Sequence, residues 1–334
     1  MTPRVSVLIP VHNASSTVEA AVESVLRQTF ADLEVVVVDD GSTDDTPDIL
    51  DSLSSRDARV RVVHAPHRGL IHTLNFGIEL CRSELIARMD ADDISHRERL
   101  KLQVELMDSE PGVSVCSSLV RMFPRKSLLG GMVRYEQWLN SLVTPDEIAR
   151  DIFVESPVAH PSVMVRRREL IEIGGYQERG WPEDYDLWLR YHLAGKRFAK
   201  VPRPLLFWRH SEERVTFTDS RCSVESFLRA KAHYLAKMLR DIDRPIVLWG
   251  AGKTGRRIAK HLIREGLDIE AVVAIDEKKI GHALRGRPIV DPGWLRGKHV
   301  FVITAVSSHG ARELIREQLR SMGFAEVRDF VCAA

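Results

Sequence analysis

The stretch Leu33-Glu34-Val35-Val36-Val37-Val38-Asp39-Asp40-Gly41-Ser42-Thr43 decides the fold. Leu33 to Val38 is dominated by β-branched residues and reads as a strand buried on both faces, as a parallel sheet requires. Two carboxylates close it, and a Gly-Ser-Thr turn follows. Upstream, Val5-Ser6-Val7-Leu8-Ile9 is a second apolar strand, with Pro10 as its expected stop. Ser16 with Glu19 forms an expected capping box ahead of Val18, Ala21, Val22, Val25 and Leu26 at helical spacing. Downstream, Pro47 suits the first position of a helix whose apolar side is Ile49, Leu50 and Leu53. Val60 to Val63 is a third strand, Leu70, Leu74 and Ile78 mark a third helix, and Leu85-Ile86-Ala87 leads a fourth strand into Asp90. This βαβαβαβ run specifies a doubly wound α/β sheet with right-handed crossovers. Acids at the ends of its strands mark the ligand edge.

Past Asp93 the pattern gives a helix with Leu100, Val104 and Met107, and a short strand over Val113 to Cys116. Residues 120 to 150 are expected as loops and short helices over the site. Ser162 to Val165 reads as a strand and Asp186 to His192 as a helix. A connecting helix is expected from Val224 to Leu239. A second alternation opens at Ile246: a strand, then Gly250-Ala251-Gly252-Lys253-Thr254-Gly255 and a helix, then a strand from Ala271 to Ile275 ending in Asp276. A strand over Val300 to Thr304, a helix with Leu314, Ile315 and Leu319, and a last strand near Val327 to Val331 complete a small Rossmann-like unit. The expected divisions are 1–218, a connecting helix 219–243, and 244–334.

The chain has 334 residues, enough for two domains with their own cores. Lys and Arg number 48 against 47 Asp and Glu, which gives no footing for general nucleic-acid binding. Cys81, Cys116, Cys222 and Cys332 form no Cys-x-x-Cys pair, so buried thiols in a reducing cytosol are expected rather than a zinc site. Met1-Thr2-Pro3-Arg4 leads straight into a strand with no leader pattern, and no apolar stretch reaches the length of a membrane span. The expectation is a cytoplasmic protein, either free or at the inner face of the membrane. The short apolar stretch Leu128 to Val133 is either a membrane-surface contact or a buried loop.

Three acidic sites carry the chemistry. Asp39, at a strand end, can accept the imide N–H of a uracil ring, or it can cap the turn that follows. In Asp90-Ala91-Asp92 alternation points both carboxylates to one side of an extended strand end. One suits direct ligation of Mn²⁺ or Mg²⁺ and the other a water or ribose; the alternative is an acid-rich helix start. Glu183-Asp184 is a candidate base for transfer to a sugar hydroxyl, or a helix-capping pair. His210, after the strand-like Leu205-Leu206-Phe207-Trp208, is either a diphosphate or metal contact or a surface histidine.

Taken in order, Val7-Leu8-Ile9-Pro10-Val11-His12-Asn13, Val38-Asp39-Asp40-Gly41-Ser42-Thr43-Asp44, Ala87-Arg88-Met89-Asp90-Ala91-Asp92-Asp93 and Glu183-Asp184-Tyr185-Asp186-Leu187-Trp188-Leu189-Arg190 resemble the family 2 glycosyltransferases with the GT-A fold. So do Leu74-Asn75-Phe76-Gly77-Ile78, Arg99 to Gln103, His160-Pro161-Ser162, Gly174-Gly175-Tyr176 and Trp208-Arg209-His210. The resemblance runs from about residue 4 to 218. It implies inverting transfer from a nucleotide sugar, usually a UDP sugar, with Mn²⁺ or Mg²⁺, to a glycan or lipid-linked acceptor. It implies that Pro10, Asn13 and Asp39 line the nucleoside pocket, that Asp90 sits near the ribose, that Asp92 is the metal ligand and that Asp184 is the general base. His160, the Gly174-Gly175 turn, Glu183 and Trp181 are expected on the acceptor side, Trp181 as a stacking platform or as packing.

Gly250, Gly252 and Gly255 after a strand, with Asp276 at the end of the next, match the context of a dinucleotide fingerprint. About 90 residues are too few for a full two-half dinucleotide domain. Val247 stands where a P-loop needs glycine. The unit resembles the small Rossmann-like domain fused to polysaccharide enzymes, and either binds a nucleotide or mediates assembly as a homo-oligomer. The rival functions are a nucleotide-binding oxidoreductase working through this unit, and a non-catalytic assembly protein.

Overall fold

The computed structural model describes residues 2–210, 219–308 and 310–334, so the expected boundary at 218 lies outside the described residues. The chain forms two compact units: Met1–Ile148 with Pro157–Arg179 and Ala194–Phe217, and Ala149–Ser156 with Gly180–Leu193 and Thr218–Ala334. The division is therefore not a single cut in the sequence.

In the first unit β1 (Val5–Val11), β2 (Leu33–Asp40), β3 (Val60–Ala65) and β4 (Leu85–Arg88) are parallel in the order β3-β2-β1-β4. Helices α1 (Val18–Leu26), α2 (Thr46–Arg56) and α3 (Leu70–Leu80) are the crossovers. β1 runs through Pro10 rather than stopping there. Its ladder with β4 ends at Leu8, so past that point the missing proline N–H has no strand on the β4 side to serve. Glu34 is buried in β2 and satisfied by Ser6, Arg61 and Arg82. The expected capping box is absent: Thr17 is the N-cap of α1 without a side-chain hydrogen bond, and Glu19 pairs with Arg56 instead.

The sheet continues through β7 (Met164–Arg166), β6 (Val113–Phe123), β8 (Arg197–Arg209) and β5 (Ile94–Ser95), giving eight strands of mixed direction. β6 is longer than the expected Val113 to Cys116. Helix α4 (Arg99–Ser109) follows β5, α5 (Gly130–Ser141) and α6 (Pro145–Asp151) follow β6, and α7 (Arg167–Glu172) follows β7. Leu129 is 71% exposed at the start of α5, so Leu128 to Val133 is not a buried loop. Among the described residues no helix is long and apolar enough to cross a membrane.

Lys200 of β8 is buried and donates from Nζ to the Leu139 carbonyl at 2.5 Å. Burial drives its pKa down to about 7, against the pull of Glu147. The unfolded chain holds this proton up to the ordinary lysine range, so between about pH 7 and 10 it binds more protons than the native state and stability rises with pH. Denaturant unfolding at pH 7 and pH 9 is expected to show wild type gaining on Lys200→Met by about 2 kcal/mol. An unchanged difference between the two proteins would remove the titration from this site.

The second unit holds α8 (Glu183–Leu193), α9 (Val224–Met238) and a six-stranded sheet in the order β11-β12-β10-β9-β13-β14. These strands are β9 (Ile246–Trp249), β10 (Ile269–Val273), β11 (Ala283–Leu284), β12 (Arg287–Val290), β13 (Phe301–Thr304) and β14 (Phe330–Cys332), with α10 (Lys253–Arg264) after β9 and α11 (Ala311–Ser321) after β13. All ladders are parallel except the β11–β12 hairpin. β10 ends at Val273, ahead of the exposed Ile275, which leaves Asp276 in a loop. The last strand begins at Phe330 because Val327 has a left-handed φ of 71°.

The Gly-rich turn has a packing reason at two of its three positions. A Cβ on Gly255 would sit 1.8 Å from the Gly250 carbonyl oxygen, and one on Gly250 would sit 2.6 Å from that of Ala305. A Cβ on Gly252 meets nothing within 4 Å. Gly255→Ala is therefore expected to destabilise the unit by about 3 kcal/mol or more, and Gly252→Ala by less than about 1 kcal/mol. Thermal melts of the two variants check this; equal losses would contradict the packing account.

Candidate active site

The parallel strands of the first unit end side by side. Val11 of β1 lies opposite Asp39, and Leu8 lies opposite Arg88 of β4, so the carboxylates after β2 and β4 flank the end of β1. Neighbouring strands are about 4.8 Å apart. Asn13 takes a left-handed φ of 49°; its amide donates to Ser42 Oγ and its Oδ1 accepts from the Thr43 amide. Asn13 is thus held against the turn after β2, while Pro10 lies opposite Val38 in the ladder. Asp39 accepts from the Ser42 amide at 3.0 Å and lies 2.8 Å from His64 Nδ1. The turn-capping role is real, yet a carboxylate has about four lone-pair positions, so it does not exhaust Asp39. Hydrogen bonds to Asp39 first and Asp51 second raise the His64 pKa. Asp40 takes the Arg68 and Gly69 amides, and His12 and His67 stack at 4.3 Å with both Nδ1 atoms near its carbonyl. That contact locks the loop before α3.

After β4, Asp90, Asp92 and Asp93 each bring a carboxylate oxygen to within 4.8 Å of the others. Asp93 is fully buried and accepts the Arg209 amide at 2.7 Å, while Arg209 Nε donates to the Asp92 carbonyl at 2.6 Å. The end of β8 thereby fixes the acidic turn. A set of hard oxygen donors fits Mg²⁺ or Mn²⁺. His210, expected at the metal, follows the end of β8, and its amide donates to the Phe123 carbonyl at 2.7 Å.

Arg88 is buried one residue before Met89 and pairs with Asp90 through Nη2 at 2.6 Å. His160 is also buried, with Nε2 2.7 Å from the Tyr176 hydroxyl. Burial first, and the Arg88 cation second, drive the His160 pKa well below its ordinary value, so the ring is neutral. Asn75 Nδ2 donates to the Tyr176 carbonyl and Asn75 Oδ1 accepts the Tyr176 amide, both at 2.9 Å. A Cβ on Gly175, whose φ is 58°, would sit 2.5 Å from Asn75 Oδ1, which is why glycine occupies that turn. His160 and Gly175 are thus brought together through Tyr176.

Glu183, Asp184 and Trp181 belong to the second unit. Glu183 is buried and Asp184 half-buried at the start of α8. Asp186 anchors this helix: Oδ1 accepts from Trp181 Nε1 at 2.8 Å and from the Tyr234 hydroxyl of α9 at 2.6 Å, and Oδ2 meets Arg190 at 2.8 Å. Trp181 is buried against His233 with Arg229 over its ring. Asp276 is paired with Lys279 at 2.9 Å.

The sequence profile of glycosyl transferase family 2 matches residues 6–174. The chain belongs to that family. Among curated proteins, the transferase is 32% identical over 216 residues to the amylovoran biosynthesis glycosyltransferase AmsE of Erwinia amylovora, covering 63% of this chain and 77% of that one. It is 27% identical over 240 residues to a UDP-Gal:alpha-D-GlcNAc-diphosphoundecaprenol beta-1,3-galactosyltransferase of Escherichia coli, covering 70% and 84%. An uncharacterized glycosyltransferase of Haemophilus influenzae is matched over only 65% of its own length. Among solved structures, S. aureus TarS 1-349 in complex with UDP-GlcNAc superposes with a TM-score of 0.58 at 19% identity, over 78% of this chain and 72% of that one. A Pyrobaculum calidifontis mannosyltransferase in complex with GDP-Man and Mn²⁺ gives 0.52 at 22%, over 73% and 66%. These likenesses establish the GT-A fold of the transferase.

Proposed function

We propose that this family 2 transferase moves one sugar from a nucleotide diphosphate sugar, a UDP sugar first, to a hydroxyl of a glycan or lipid-linked acceptor, with inversion, in surface polysaccharide synthesis. The observation that carries the reading is the Asp90–Asp92–Asp93 carboxylate group beside the strand end that bears Asp39. The named activities of the relatives support the donor and acceptor classes.

In this reading Pro10, Asn13 and Asp39 bind the nucleoside, and Asp90 orients the ribose. Asp92 is the principal ligand for Mn²⁺ or Mg²⁺, which when bound neutralises charge on the departing diphosphate. Asp184 takes the proton of the acceptor hydroxyl. The oxygen forms a bond to the anomeric carbon from the face opposite the diphosphate, the bond from that carbon to the diphosphate oxygen breaks, and the nucleoside diphosphate leaves. His160 and the Gly174-Gly175 turn shape the acceptor side. Contact with the inner membrane face would follow from a lipid-linked acceptor. For the second unit the glycine packing supports a structural role over a dinucleotide site.

Thermal-shift measurement against a panel of nucleotide sugars tests the reading. With Mn²⁺ present, a UDP sugar is expected to raise Tm; saturation at about 100 times Kd corresponds to about 2.7 kcal/mol. No shift from any nucleotide diphosphate sugar would end the donor assignment, and a shift from NAD alone would favour the oxidoreductase.

A further inference from the structure

The chain that leaves the end of β6 is exposed, apolar and basic at once, and the chemistry above makes no use of it. Leu129, the N-cap of α5, is 71% exposed. The Met132 and Val133 amides donate to its carbonyl at 2.9 and 3.2 Å, so the three side chains lie on one face of the first turn. Met132 and Val133 are half-buried, and Gly130 and Gly131 are exposed. From Arg121 to Tyr135 the sequence has four cations, Arg121, Arg125, Lys126 and Arg134, and no carboxylate. Glu136, the next acid, is buried and taken by the Met122 amide and Arg125. Lys126 and Arg134 are exposed and have no ion pair among the described residues. The Arg134 guanidinium folds back over the turn, where a Cβ on Gly130 would sit 3.5 Å from its Nη1.

The other side of α5 is anchored. Asn140 accepts the Val120 amide at 2.9 Å and donates to the Val120 carbonyl at 2.8 Å, and Tyr135 packs against Trp138 and against Trp208 of β8. The fold therefore presents Leu129 to solvent from a fixed helix. An apolar tip flanked by cations is suited to a bilayer interface, with the apolar side chains among acyl chains and the cations at lipid phosphates. The patch is small and its free charge is of one sign, which fits a fluid anionic surface better than a protein interface of about 800 Å² per partner. Its place in the fold matters too. Phe123 pairs with Arg209 in the β6–β8 ladder, under a guanidinium 4.6 Å from its ring centre. Arg209 holds Asp92 and Asp93. The segment thus leaves the sheet at the acidic turn.

We propose that Leu129, Met132 and Val133, with Lys126 and Arg134, dock the transferase on a bilayer of anionic phospholipid, so that an acceptor anchored there meets the donor beside Asp92. The docking deepens the lipid-linked acceptor reading and rests on it for its part in transfer. The cations supply an attraction that salt screens, and the apolar tip supplies the remainder.

Flotation of the full chain with vesicles of phosphatidylcholine alone, or of equal parts phosphatidylcholine and phosphatidylglycerol, tests this. Wild type should float with the anionic vesicles in preference to the neutral ones, and less as salt is raised. Lys126→Ala with Arg134→Ala should lower the partition coefficient about 30-fold, at about fivefold per cation. Leu129→Glu should lower it about tenfold or more. Both variants should keep the wild-type Tm, because the altered side chains are exposed. Should Leu129→Glu fail to fold, Leu129→Ser, a residue favoured at an N-cap, takes its place. A wild type that ignores anionic vesicles, or binds neutral ones equally well, would overturn the proposal, as would folded variants that bind like wild type. Transfer to a lipid-linked acceptor in detergent without vesicle binding would overturn the docking and leave the acceptor reading intact. Vesicle binding by a wild type that glycosylates only water-soluble glycans would end the acceptor reading and, with it, the part of docking in transfer.

Discussion

Asp184→Asn is expected to lower transfer by about 10²–10⁴-fold while leaving donor affinity unchanged. The amide keeps the shape of the carboxylate and cannot take a proton from the acceptor hydroxyl. The competing account is local. Asp184 lies in the first turn of α8, its Oδ1 2.7 Å from the Tyr185 amide, where a negative charge favours the helix N-terminus. Neutralising such a charge costs about 0.3–1 kcal/mol of stability. A 10²-fold loss of rate is about 2.7 kcal/mol of barrier. The two accounts therefore separate by size and by observable. A capping role moves Tm by a few degrees and spares kcat; a base moves kcat and spares the KM for donor. Unchanged kcat in a folded Asp184→Asn would remove Asp184 from the chemistry.

The segment that carries Asp184 is held within the second unit. Asp186 is bound by Tyr234 of α9, and Tyr185 donates from its hydroxyl to the Ile152 carbonyl at 2.8 Å. Lys231 of α9 donates to the Val154 carbonyl at 2.6 Å and to that of Ala333, beyond β14, at 3.3 Å. The helix that bears the candidate base is thus built into the Rossmann-like unit. Tyr234→Phe, which removes one anchor of Asp186, is expected to lower kcat more than it changes donor affinity. Steady-state kinetics with donor and acceptor varied separately check this; a wild-type kcat would show that the anchor is dispensable.

The parallel half of the large sheet was legible because Val5 to Ile9, Leu33 to Val38 and Leu85 to Ala87 are short apolar runs, the second and third with acids where the strands end. The β6–β8 pairing was not. Pro202 and Pro204 interrupt the pattern of β8, and its register against β6 shifts between Ser118 and Val120, so no alternation survives to be read. The carboxylates that meet after β4 were legible as a spacing, but the separate task of Asp93 was not, because the amide it holds, Arg209, is 116 positions away. Arg88 left a weaker signal, a charge at the end of a buried strand, whose pairing with Asp90 is seen only in the structure. The membership of Gly180–Leu193 in the second unit had no sequence signal, since the bonds that tie it to α9 join residues far apart in the chain.

Asp92→Ala is expected to abolish the Mn²⁺-dependent part of the stabilisation by UDP. Three carboxylates whose oxygens lie within 4.8 Å repel one another, partly offset by Arg88 on Asp90 and the Arg209 amide on Asp93. Removing the half-buried Asp92 side chain relieves repulsion and leaves its backbone carbonyl, the Arg209 Nε acceptor, in place. The ligand-free Tm should fall by less than in Asp93→Ala, whose side chain is fully buried. The shift with Mn²⁺ and UDP should fall toward the shift with UDP alone, a loss of up to about 2.7 kcal/mol when wild type is saturated at 100 times Kd. Asp93→Ala should lose more stability with no ligand present, since it removes a fully buried carboxylate that accepts the half-buried Arg209 amide; that change is worth about 1–3 kcal/mol. A loss confined to the metal-dependent shift in one acid and a loss of ligand-free stability in its neighbour are hard to obtain from a general loss of folding. A Mn²⁺-dependent UDP shift that survives intact in Asp92→Ala would take the metal away from this carboxylate, whatever the activity of the variant.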